Sequence, residues 1–143
     1  MENTMPIGDS IKWDDSYILG NEKVDNQHRK LFELVNSLVS SCDRDSEPEK
    51  LLDTLNFLVN YAVQHFDDEE ALQIQSNFPG YPDHKKLHED FKVTVTELVA
   101  RFTETNSPSQ LSYDIKKILI KWLFNHIMNE DKKIGKHLQT INN

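Results

Sequence analysis

The chain has 143 residues, enough for one domain with a single core. Hydrophobic residues make up 37% and charged residues 28%, the balance of a folded globular chain rather than a disordered or membrane-embedded one. With 24 Asp and Glu against 16 Lys and Arg the net charge is −8, which disfavours nucleic acid and anionic membranes and leaves cations or basic proteins as surface partners.

Cys42 is the only cysteine, so no internal disulfide forms and no oxidising compartment is implied. It reads as a helix-end thiol of no consequence. The opening MENTMPIGDS has neither a basic nor an apolar stretch of the kind a signal peptide needs. No run approaches 18 apolar residues, so no membrane span is expected and the cytoplasm is the expected location.

Four Gly and five Pro, mostly between periodic segments, favour helices. Residues 1–20 read as an N-terminal arm carrying Trp13, Tyr17, Ile18 and Leu19 across the remainder, residues 21–143. A first helix is expected over about 21–41, with Val24, Leu31, Phe32, Val35, Leu38 and Val39 as its apolar stripe and His28 in the gap. DRDSEPEK breaks it, with Ser46 or Glu47 near the next cap and Pro48 in a first helical turn. The second helix, 48–75, has a seam of Leu51, Leu55, Leu58, Ala62, His65, Glu69 and Leu72 in steps of four and three.

SNFPGYP reads as a turn. The third helix, about 83–105, carries His84, His88, Phe91, Val95, Leu98 and Phe102 on its seam, and Asn106, Ser107 and Pro108 end it. The fourth, about 109–129, presents Leu111, Ile115, Ile118, Leu119, Trp122, Leu123 and His126. A short C-terminal helix includes Ile134 and Leu138. The fold class is all-α: an up-down-up-down antiparallel four-helix bundle with an N-terminal arm and a short C-terminal helix.

Five of the six histidines, His28, His65, His84, His88 and His126, fall on core-facing stripes of all four helices. One buried imidazole usually finds a hydrogen bond; five converging ones lack acceptors, and a metal resolves the shortage. Glu69 sits one turn after His65 on the same face, where a lone carboxylate is costly but one bridging two cations is not. His84 and His88 form a helical i, i+4 chelate. Lys85 stands where a metalloprotease base would be, and six or more nitrogen and oxygen donors suit iron better than zinc. Periodicity leaves the last donor open. Residue i+5 from His126 lies about 140° around an ideal helix, so Glu130 faces inward better than Asp131 unless the helix distorts.

A lone His in VDNQH, then HFDDE, HKKLH and HIMNED resembles the pattern of the hemerythrin family, specifically the single-domain bacteriohemerythrins, from Trp13 to about Leu138. The resemblance implies Asp131 rather than Glu130. It implies two iron ions bridged by an oxo or hydroxo group and by the carboxylates of Glu69 and Asp131. His84, His88 and His126 would hold one iron; His28 and His65 would hold the other, leaving a position open for O2. Leu31, Phe66, Trp122, Leu123 and Ile127 match the family's apolar O2 pocket and equally make ordinary core. Gln73 stands where relatives often carry Met and admits a polar contact near one end of the bundle. His137 matches no ligand position and is expected on the surface.

The resemblance implies reversible O2 binding for storage, delivery or scavenging, by a monomer that is not an enzyme, with NO or small anions as further ligands. A sensor of O2, NO or redox state acting through a protein partner is an alternative. A di-iron oxidase or peroxidase is another, weakened because no histidine here has Glu three residues before it, as the carboxylate-rich di-iron enzymes do. A metal-free interaction bundle would leave seven polar groups unexplained on core seams.

Overall fold

A computed structural model describes residues 12–43 and 47–141. Residues 1–11 of the expected arm and Ser46 of the expected cap lie outside them. The described residues hold no strand.

A short 3-10 turn at Asp15–Tyr17 precedes α1 (Glu22–Asp43), α2 (Pro48–Gln75) and α3 (Tyr81–Thr105). The fourth helix, α4 (residues 108–130), is composite: α-helical at Pro108–Asp114, π-helical at Ile115–Ile120, α-helical at Lys121–Asn125 and π-helical at His126–Glu130. The expected C-terminal helix, α5 (Asp131–Ile141), follows without an intervening non-helical residue. No described helix is long and apolar enough to cross a membrane.

The ends follow local chemistry. Asn21 Oδ1 accepts the Val24 amide at 3.0 Å and opens α1. Pro48 sits in the first turn of α2, where its missing N–H costs nothing; Glu47 precedes it without a side-chain cap. α3 begins at Tyr81, before the expected Asp83, because Pro82 is tolerated in a first turn. Asn106 ends it in the left-handed conformation (φ 50°), and Ser107 Oγ caps α4 through the Gln110 amide at 3.2 Å.

The α1 stripe is buried as expected, as are Leu51, Leu55, Leu58 and Ala62 of α2. Leu72 is only half-buried, and Gln73 takes the fully buried position beside it. Ile118 departs from expectation. It is exposed while Ile120 is fully buried, because the π turn at Ile115–Ile120 inserts a residue and rotates the apolar face. Cys42 packs into the core, and burial pushes its thiol pKa up.

The arm lies against α1. Trp13 meets Phe32 edge to face at 5.4 Å, with the Arg29 guanidinium 5.0 Å from its ring. Asp25, itself buried, accepts the amides of Leu19 (2.7 Å) and Gly20 (3.2 Å). Gly20 has φ +101°, a backbone few other residues adopt.

A large apolar cluster runs from Leu31 to Ile127, and a small one groups Leu19, Val24, Ile134 and Leu138. His28 lies early in α1, His65 and Glu69 late in α2, His84 and His88 early in α3, and His126 at the end of α4. Helices alternating in direction thereby bring them to one level of the bundle.

Candidate metal centre

A π turn spends one more residue than an α turn, so residue i+5 rather than i+4 returns to the face of residue i. The π turn His126–Glu130 therefore carries Asp131 beneath His126, and Asp131 Oδ1 lies 3.1 Å from His126 Nε2. Glu130 is turned away, its Oε1 3.0 Å from Lys133 Nζ. Periodicity on an ideal helix preferred Glu130; the distorted helix presents Asp131.

All seven residues named from the sequence converge and all are buried. They form two overlapping groups: His84, His88 and His126 with both carboxylates, and His28 and His65 with the same two carboxylates. Within each group the donor atoms lie within 4.8 Å of one another. Glu69 divides its oxygens between the groups. Oε1 is 2.9 Å from His84 Nε2 and 3.1 Å from His88 Nε2, while Oε2 is 3.3 Å from His28 Nε2 and 3.2 Å from His65 Nε2. Asp131 divides likewise: Oδ1 faces His84 (3.0 Å) and His126 (3.1 Å), and Oδ2 faces His28 (3.0 Å).

Partners behind the rings set which nitrogen faces inward. His88 Nδ1 donates to Glu70 Oε2 at 2.8 Å, an acceptor-only carboxylate, so its Nε2 lone pair faces the centre. Gln27 Nε2 donates to Asp68 Oδ2 at 2.7 Å, which turns Gln27 Oε1 toward His65 Nδ1 at 2.8 Å. His65 Nδ1 must then carry the proton. Such outer partners orient metal-binding imidazoles. The sequence reading did not find Gln27, Asp68 or Glu70 in this role. Glu70 directly follows a named donor, the one signal the sequence offered for it.

The charges are tightly balanced. Burial opposes ionisation of Glu69, yet the imidazoles of His65, His28 and His84 outweigh it and hold the carboxyl well below its ordinary range. Asp131 is lowered similarly: burial and Glu69 oppose ionisation, and His126 and His28 prevail. Burial alone would lower His28, but Asp131 and Glu69 raise it to about 10; the same competition raises His84 to about 9. Burial prevails at His65 and lowers its pKa.

A cation fits this donor set. His65 Nε2 and both Asp131 oxygens are buried without a hydrogen bond, and His88 Nε2 faces His126 Nε2 at 3.1 Å. Nitrogen lone pairs that close repel unless a proton or metal lies between them. Five imidazoles with two carboxylates suit a transition metal such as iron.

Apolar side chains wall the centre. Phe66 stacks on His88 (3.9 Å, 10°) and Trp122 on His126 (4.7 Å, 10°). Phe91, absent from the predicted pocket, meets Phe66 edge to face at 5.2 Å. Leu31, Leu123 and Ile127 are buried in the same cluster. His137 is not the free surface residue expected. It is half-buried, with Nε2 donating to the Ser76 carbonyl at 2.7 Å and the ring 5.5 Å from Phe78, because α5 packs over the α2–α3 turn.

Fold and site together define a helical-bundle protein with a buried cluster of nitrogen and oxygen donors suited to a metal ion. The family model "Hemerythrin HHE cation binding domain" matches residues 19–138, and the chain belongs to this hemerythrin family. A bacteriohemerythrin of Pseudomonas paraeruginosa is 33% identical over 121 residues, spanning 85% of this chain and 76% of the relative. A hemerythrin-like protein of Naegleria gruberi is 31% identical over 133 residues, 93% of this chain and 96% of the relative. A myohemerythrin of Theromyzon tessulatum is 30% identical over 127 residues, 89% and 92% respectively.

Proposed function

We propose that this chain binds O2 reversibly at two iron ions bridged by Glu69, Asp131 and an oxo or hydroxo group. The observation carrying this reading is the division of each carboxylate's oxygens between a three-imidazole and a two-imidazole group. In this reading His84, His88 and His126 hold one ion. His28 and His65 hold the other, with one donor fewer and a position left for a small ligand. When bound, the reduced iron pair supplies the two electrons that hold O2.

The protein's own part is to fix donor geometry and keep the site dry. Gln27 and Glu70 hold their imidazoles in the metal-binding tautomer. Leu31, Phe66, Trp122, Leu123 and Ile127 exclude water, and a dry pocket with few protons favours release over further reaction. The role is storage, delivery or scavenging, without turnover.

Metal analysis should find two irons per chain. The anaerobically reduced protein should gain a visible charge-transfer absorption in air and lose it under vacuum, over repeated cycles. An unchanged or irreversible spectrum would overturn the reading.

A further inference from the structure

Apart from atoms facing the candidate metal centre, three side chains among the described residues have buried polar atoms without a hydrogen-bond partner. Trp13 Nε1 belongs to the arm. The other two are His28 Nδ1 and the amide of Gln73, both of whose polar atoms are unpaired on a fully buried side chain.

Both lie at the end of the bundle where α1 begins and α2 finishes. Gln73 lies one turn beyond Glu69 on the inward face of α2, and Glu69 touches His28 at 3.3 Å. α1 and α2 run antiparallel, and helical side chains lean toward their own N-terminus. His28 therefore leans toward the level of Gln73, and Gln73 leans back toward the level of His28. Two other ligand candidates have side-chain partners on Nδ1, from Gln27 and Glu70. His28 lacks one, and a buried polar pair of this kind is the usual setting for an internal water.

We propose that Gln73 is a positioning residue for His28, joined to it through one buried water. The water accepts the His28 Nδ1–H and donates to Gln73 Oε1. This fixes the proton on Nδ1 and aims the Nε2 lone pair at the centre, as Gln27 does for His65. The inference rests on the reading of His28 as an iron ligand.

The test compares iron-loaded wild type, Gln73→Leu and Gln73→Glu, following release of each iron to a ferrous chelator. Gln73→Leu should release one of its two irons about 10–100-fold faster and leave the other unchanged. Gln73→Glu keeps an acceptor oxygen and should stay within a few-fold of wild type. Metal-free Gln73→Leu should melt close to wild type, because loss of the water contact at Oε1 is offset by removal of the unpaired Nε2. A crystal structure of the loaded wild type should show the water between Gln73 and His28. Equal release from wild type and Gln73→Leu, equal acceleration of both irons, or a matching loss of metal-free stability overturns the assignment. If the wild type itself takes up no iron, the O2-binding reading has failed; if it holds two and Gln73→Leu releases them normally, only the role of Gln73 has.

Discussion

Glu130 and Asp131 are adjacent acids with opposite surroundings, one paired with Lys133 at the surface and one buried against three imidazoles. Asp131→Ala should lower iron affinity more than about 100-fold, because Asp131 belongs to both donor groups and its removal would take an oxygen from each, a larger loss than that of an outer partner. Glu130→Ala should keep full iron, since a surface ion pair contributes little. Iron per chain after dialysis checks both, and equal loss from the two variants would contradict the geometry. The five imidazoles and Glu69 were legible because they occupy Leu-like seam positions. Gln27, Asp68 and Glu70 were not, since each sits on a face that the seam pattern assigns to solvent. A hydrogen bond between helices leaves no trace in the spacing of either.

At the scale of the element, the two π turns of α4 explain what periodicity misassigned. One exchanges Ile118 for Ile120 in the core; the other exchanges Glu130 for Asp131 at the centre. An α-period template has no place for the extra residue, so these two errors fall on this helix, while α2, found at its expected bounds, departs only where Gln73 is buried beside the half-buried Leu72. A π turn is an α-helix with one residue added. Deleting the exposed Asn129 should therefore restore i, i+4 spacing between His126 and Asp131 and retain two irons, with a melting temperature within about 5 °C of wild type, roughly 1–2 kcal/mol for a chain this size. Loss of iron from this deletion would show that the π geometry itself is required.

For the whole molecule, the centre joins every long helix, and metal binding is linked to folding. Chelation should lower the melting temperature on the order of 10 °C, from about 4 kcal/mol of linkage at a thousandfold excess over Kd. The difference should depend on pH. In the metal-free chain His28 and His84 are raised from 6.5 to about 10 and about 9. Their stabilisation is complete below about pH 6.5 and is lost as pH rises through 9 to 10. Glu69 and Asp131 are lowered from 4.5 and 3.8, so theirs is present above those values and is lost as pH falls. His65 is lowered from 6.5, so its contribution is lost as pH falls below that value. The metal-free protein should thus be most stable at about pH 6, and the gap to the loaded protein should widen between pH 7 and 9. A gap constant over that range, read by calorimetry, would contradict this balance.

Both donor groups depend on Asp131, which leaves the ribosome after every other member. A metal cage built on both groups would therefore be complete only once α5 has begun, and its last donor to be made is one that serves both halves.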